Sequence, residues 1–141
     1  MWSLRKIQAS DSEFELSKQI RKSVFVEEQG VSEREEYDSF ENVSSHYLVF
    51  QKDEAIATAR WRATDFGIKL ERFAVLPKFR EKGVGCFLVK EILEEVKGLT
   101  NPIYLHAQIQ VVKFYQNLGF KKVGSIFEEA GIKHYKMLFK H

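Results

Sequence analysis

The sequence predicts a mixed α/β fold, a central and mostly antiparallel sheet flanked by helices in the order β-α-β-β-β-α-β-α-β-β. Short segments with period-two alternation of apolar residues recur along the chain, separated by turn residues. Two stretches instead place apolar residues three and four apart, the spacing of a helix face. Pro77, Gly83 and Gly85 mark a passage from strand through loop to helix in mid-chain. At 141 residues, with 44% hydrophobic residues and twelve Phe, the chain is expected to form one domain, residues 1–141, around one core.

Each element has its own signal. Ser3 to Gln8 reads as a strand. Ser10 and Glu13 have the spacing of a capping box, and the helix after them carries Leu16, Ile20 and Val24 on one face, fading near Glu27 before Gly30. The stretch from Glu27 to Glu41 is strongly acidic and weakly periodic, consistent with a loop holding a short helical piece. His46 to Gln51 and Ala55 to Arg62 read as antiparallel strands about a Lys52-Asp53 turn, and Ile68 to Leu76 as the next strand. Val84, Phe87, Leu88, Ile92 and Val96 recur at helical spacing, with Gly98 and Pro102 at the exit. Ile103 to Ala107 is a strand, Val111 to Leu118 a short helix stopped by Gly119, and Lys121 to Phe127 and His134 to Phe139 a final pair joined around Gly131.

Composition narrows the function classes. A net charge of +2 from 22 basic and 20 acidic residues does not suggest a nucleic-acid binder. Cys86 is the lone cysteine, so no internal disulfide forms, and no residue set has metal-ligand spacing. No apolar run approaches a membrane span, and Met1 to Lys6 lack a secretory core, so no membrane partner and a cytoplasmic location are expected.

The segment Leu70 to Gly85 carries the strongest chemical signal. A strand leads into Arg80-Glu81-Lys82-Gly83-Val84-Gly85, where a helix begins. The first backbone N–H groups of a helix have no internal partner, and glycine lets an anion approach them closely. Such a loop suits a diphosphate, with Arg80 and Lys82 adding charge at the rim. The spacing alone suits an ordinary strand-to-helix turn equally well. A Walker loop is excluded by its missing Gly-Lys-Ser/Thr end, and a dinucleotide fingerprint by Leu88 at its third glycine position.

Arg80-x-x-Gly83-x-Gly85 resembles the Arg/Gln-x-x-Gly-x-Gly/Ala signature of GNAT N-acetyltransferases. Gln108-x-x-Val111-x-x-Phe114-Tyr115-x-x-x-Gly119-Phe120 is similar to that family's second signature, which often has Asn and Ala at the positions of Gln108 and Val111. Val24 to Gln29 and Gly131-Ile132-x-His134 further resemble the small bacterial ElaA/YjcF-like subgroup. The resemblance implies a GNAT-like fold and an acetyl-CoA-dependent N-acetyltransferase; the spacing of the histidines gives no metal site. It places the pantetheine arm against backbone of Phe73, Ala74 and Val75 and the diphosphate on Arg80, Glu81, Lys82, Gly83, Val84 and Gly85, with Gln108 and Phe114 also at the cofactor. It makes Tyr115 the acid that protonates the departing thiolate, and transfer direct, so that Cys86 is not a nucleophile.

The acceptor is less constrained. Glu71 is the first candidate for a base and Glu28 the second, though either suits a solvated carboxylate. Arg60 and Arg62 share a strand face and could hold a substrate anion; Arg72 is expected on the face opposite Glu71; His46, His106 and His134 could contribute. The acidic run could select cations or simply be solvated. The expected reaction is acetylation of a small primary amine, such as an amino acid or amino sugar. Acetylation of a protein N-terminus or lysine, and a non-catalytic CoA-binding regulatory module, remain alternatives. A homodimer is implied by family analogy alone.

Overall fold

Seven strands join into one sheet in the computed structural model, which describes residues 1–99 and 101–140. β1 (Trp2–Ile7), β2 (Ser45–Gln51), β3 (Glu54–Ala63) and β4 (Ile68–Val75) form an antiparallel meander. β5 (Ile103–Gln108) runs parallel to β4, which requires a crossover, and α3 (Val84–Val96) supplies it. The hairpin of β6 (Phe120–Glu129) and β7 (Ile132–Phe139) completes the spatial order β1-β2-β3-β4-β5-β7-β6. A short helix, α4 (Val112–Asn117), links β5 to β6 after a 3-10 turn at Ile109–Val111.

Helices cover both faces of the sheet. α3 packs Leu88, Val89, Ile92 and Val96 against Tyr47, Val49, Leu70 and Leu105. On the other face α1 (Phe14–Arg21) and the π-helical turns that extend it (Lys22–Glu28) pack Phe14, Ile20, Val24 and Phe25 against Leu48, Phe50 and Ala74. β2 therefore alternates between two cores and is buried on both sides, which explains its nearly continuous apolar sequence.

Two local expectations change. The Ser10–Glu13 capping box does not form: Glu13 already has helical backbone and pairs with Arg5, while Asp11 Oδ2 accepts the Gln8 N–H at 2.8 Å. The buried stripe of α1 accordingly starts at Phe14 and includes Ser17 and Arg21, with Leu16 on its flank. The acidic stretch is not a solvated loop throughout. It folds through α2 (Glu33–Glu36), where the Ser32 hydroxyl accepts the Glu35 N–H, and delivers Glu36, Asp38 and Glu41 to buried arginines.

Arg21 and Arg60 are 1% and 0% exposed. Arg21 donates from Nε to Glu36 at 2.8 Å and from Nη2 to Glu41 at 2.7 Å. Arg60 donates to Asp38 at 2.7 Å and to Glu41 at 3.0 Å, and lies 2.9 Å from Glu71. Buried guanidiniums are tolerated only when their donors are met in this way, and removing one partner strands the rest.

Acid should unfold the protein through this network. Burial alone would raise the carboxyl of Asp38, but the hydrogen bond and charge of Arg60 hold it down at about 2. Burial likewise acts upward on Glu71, and Arg62, Arg60 and Lys69 overcome it, leaving it at about 2. A carboxyl lowered in the fold contributes stability that is complete above its unfolded value, near 4 to 4.5, and disappears as pH falls toward 2. Glu36, pushed up by burial, contributes in the opposite sense, and Asp38, Glu41 and Glu71 outweigh it. Urea midpoints measured from pH 6 to pH 2.5 should therefore fall steeply below pH 4.5. Arg60→Met should lower stability at pH 7 by about 3–5 kcal/mol and flatten that fall.

Candidate active site

The ladder between β4 and β5 stops early. Ile68, Lys69 and Leu70 pair with Ile103, Tyr104 and Leu105, and the strands then part. A bulge in β4 widens the gap: Thr58 pairs with Ala74 and Arg60 with Glu71, so Arg72 and Phe73 together oppose Ala59. Arg72 has φ +60°, a left-handed conformation. The extra residue reverses strand parity, so that Leu70 faces α3 whereas Ala74 faces α1. It also overturns the expectation that Arg72 and Glu71 point to opposite faces. Arg72 reaches Glu36 at 3.1 Å and Asp38 at 3.2 Å, the same Asp38 that Arg60 holds.

The opening is a cleft of about 920 Å³ running from the start of α3 to the β6–β7 turn. At one end Gly83 caps α3 with φ +91° and no side-chain hydrogen bond. The first bond of the helix runs from the Phe87 N–H to the Gly83 carbonyl, so the N–H groups of Val84, Gly85 and Cys86 precede it. A Cβ on Gly85 would stand 3.5 Å from Phe114 and 3.9 Å from Val75, which marks how closely the cleft walls approach the loop. Arg80 Nε donates to the Val75 carbonyl at 2.9 Å, while Nη1 and Nη2 donate to Glu28 at 2.7 and 2.6 Å. The hydrogen bond from Arg80 also holds the Glu28 carboxyl below its ordinary range. Glu81 lines the cleft; Lys82 is exposed and does not.

Phe73, Ala74, Val75, Gln108, Phe114 and Tyr115 all border the middle of the cleft. Tyr115 is 7% exposed, with ring centroids 5.0 Å from Phe114, 5.7 Å from Phe120 and 6.2 Å from Phe73. Burial raises its hydroxyl above the ordinary tyrosine value, so the proton stays on oxygen. Gln108 donates to Gln29 Oε1 at 2.8 Å, tying β5 to the end of the first helix.

The other end of the cleft corrects several acceptor expectations. Arg60 is sealed among Asp38, Glu41 and Glu71 and reaches no cleft surface, so it holds no substrate anion. His46 is 0% exposed behind Phe14, its Nε2 2.9 Å from the Glu41 carbonyl and its Nδ1 buried without a partner; burial holds it neutral, and it lies outside the cleft. Arg62 donates to Glu71 at 2.8 Å and covers the ring of Phe40 at 3.9 Å, also outside the cleft. Glu71 does line the cleft, with Lys69 at 3.1 Å. His106 and His134 line it too, and they are joined by Glu129, Lys69 and Gln29, which received no role from the sequence. A signal for two of these regions existed, because Val24 to Gln29 and Gly131 to His134 are the segments with subgroup resemblance.

The family model for the acetyltransferase (GNAT) domain matches residues 10–140. The chain belongs to the GNAT acetyltransferase family. It is 40% identical over 124 residues to YyaT of Bacillus subtilis, covering 84% of this chain and 82% of that protein. It is 37% identical over 121 residues to YjcF of the same organism, an uncharacterized N-acetyltransferase, covering 84% and 86%. The crystal structure of Escherichia coli ElaA superposes with a TM-score of 0.89 at 29% identity, covering 99% of this chain and all of that one. The mixed α/β fold expected from the sequence is thus the GNAT fold, and this GNAT chain is an acyltransferase.

The residues present fit the CoA group on which this fold acts. The α3 N-terminus offers unconsumed N–H groups without a side chain at Gly83 or Gly85, and β4 and β5 part beyond Leu70 and Leu105 beside it. Arg80, however, is engaged by Glu28 across the mouth. An exposed pair of this kind contributes up to about 1 kcal/mol, so Glu28→Gln should tighten CoA binding by up to about fivefold in low salt, with the gain shrinking in high salt. Titration calorimetry at two ionic strengths measures this; unchanged affinity would show that Arg80 takes no part in holding the diphosphate.

Proposed function

We propose that this chain, acting as one domain over residues 1–141, moves an acetyl group from acetyl-CoA to the primary amine of a small molecule such as an amino acid or amino sugar. The observation that carries this reading is the alignment of three parts along one cleft. These are the free N-terminus of α3, the parted edges of β4 and β5, and Tyr115 on the cleft wall.

Acetyl-CoA supplies the activated thioester carbonyl. Backbone N–H groups from Gly83 to Cys86 take the diphosphate charge, and unpaired backbone of β4 around Phe73 and Val75 aligns the arm. The amine nitrogen attacks the carbonyl carbon, the C–N bond forms, and the C–S bond breaks with its electron pair on sulfur. The Tyr115 hydroxyl gives that sulfur a proton. The direction is sound because a phenol titrates near 10 and a thiol near 8.5, and burial lifts Tyr115 further. No acyl-enzyme is formed, so Cys86 has no covalent role.

Glu71 is retained as an anchor rather than a base. Held at about 2 by its cationic neighbours, it binds a proton too weakly to draw one from an amine near neutral pH. Its hydrogen bond to Arg62 and ion pair with Lys69 fix the wall beside the acceptor.

Thiol release from acetyl-CoA across a panel of free amino acids, amino sugars and peptides tests the reading. Turnover with free amines is expected; turnover with peptides alone would make this a protein acetyltransferase, and tight acetyl-CoA binding without turnover a regulatory module. Tyr115→Phe should lower kcat by about 10²-fold or more with acetyl-CoA affinity nearly intact, and full activity with chemistry rate-limiting would remove the acid role. Gly83→Glu should weaken acetyl-CoA binding at least tenfold, an effect of about 1.4 kcal/mol, since it adds a carboxylate beside the diphosphate and a Cβ at φ +91°. Unchanged affinity in the folded variant would remove the diphosphate from this loop.

A further inference from the structure

The acceptor end of the cleft contains a pair of side chains that the transfer step does not use. His106 lies one residue past Leu105, the last β5 residue paired with β4, so it stands where the strands part. Lys69 is the register partner of Tyr104, which puts Lys69, Glu71, Tyr104 and His106 on one face, away from α3. Glu129, at the end of β6, places Oε1 2.8 Å from His106 Nδ1. Phe127 meets the imidazole edge-on with centroids 4.9 Å apart, and the Tyr104 ring centroid lies 5.9 Å away. The two side chains are 23% and 39% exposed and both line the cleft.

This geometry assigns the ring a direction. A carboxylate at Nδ1 fixes the proton on that nitrogen and leaves a lone pair on Nε2. The position of Glu129 is itself constrained, because the β6–β7 turn has only two residues, Ala130 and Gly131, both with positive φ. The hydrogen bond with His106 is the main influence keeping Glu129 ionised, and burial opposes it; the charges of Lys69 and His134 also favour ionisation. Lys136 faces His106 across the β5–β7 ladder, with its ammonium over the rings of Phe66 and Tyr104. Glu71 stands across the gap, already neutralised by Lys69, Arg62 and Arg60.

We propose that His106, oriented by Glu129, is the base that prepares the acceptor amine. The role rests on the acetyl-transfer reading. A bound ammonium gives one proton to His106 Nε2, which passes it to solvent, and the freed lone pair attacks the thioester carbonyl. The second proton, released from nitrogen as the amide forms, replaces the one that Tyr115 gives to sulfur. The sum is ammonium plus thioester giving amide, thiol and one proton in solution.

The test uses the full-length protein and the amine on which it is most active. His106→Gln should lower kcat/KM for the amine about 10²-fold, abolish the acidic limb of its pH profile, and leave acetyl-CoA affinity unchanged. Glu129→Gln should cause a smaller loss, about tenfold, as expected of a positioning residue. Long-range nitrogen–proton NMR of the imidazole gives a readout independent of turnover: the Nδ1–H form in the wild type, and a mixture in Glu129→Gln. An Nε2–H form in the wild type, or a His106→Gln variant with wild-type kcat/KM and pH profile, would overturn this role alone. A wild type that transfers to no amine would overturn the acetyl-transfer reading and this role with it.

Discussion

Beyond Leu70 and Leu105 the chain gives up a row of ladder hydrogen bonds, and the molecule is organised around that loss. Unpaired backbone groups inside a protein need partners of some kind. A sheet that opens in mid-span therefore costs stability unless a ligand or solvent fills the gap. In this protein backbone geometry and ion pairs together favour the gap. The bulge at Arg72 and Phe73 turns β4 away from its neighbour, and the Arg72 guanidinium is held by Glu36 and Asp38 so that the turn persists.

The same network explains why the acidic segment is so acidic. Glu36, Asp38 and Glu41 converge on Arg21, Arg60 and Arg72, which come from three different elements. Buried ion pairs are weak evidence for net stability, because desolvation consumes most of their attraction. What they do supply is geometry. With Ser17 bonded to Thr58 at 2.6 Å beside them, they fix α1 and the following loop to β3 and β4 in one register. A hydrophobic contact of the same area would tolerate more sliding.

Much of the architecture was legible in the sequence because its signals are local. Strand alternation, the Pro77-to-Gly85 punctuation and the spacing of Val84, Leu88, Ile92 and Val96 depend on neighbours within a few residues. The passage from β4 through Gly83 into α3 was legible for the same reason, since it is one continuous stretch of chain. The polar end of the cleft was not. Arg60 and His46 look available as isolated polar residues, and only the folded chain buries them behind Phe14 and the acidic loop. The orientation of Arg72 was misjudged because period-two counting fails at a bulge. Glu129 meets His106 across 23 positions, and Gln108 meets Gln29 across 79, distances that no spacing rule spans.

Leu70, Leu105 and Ala107 turn toward α3, while Lys69, Glu71 and His106 turn the other way along the same two strands. Packing beneath α3 and the polar chemistry of the cleft are thus written on alternate residues of one ribbon. Substitution at every second position can therefore change the charge that faces the cleft while the apolar contacts under α3 stay as they are.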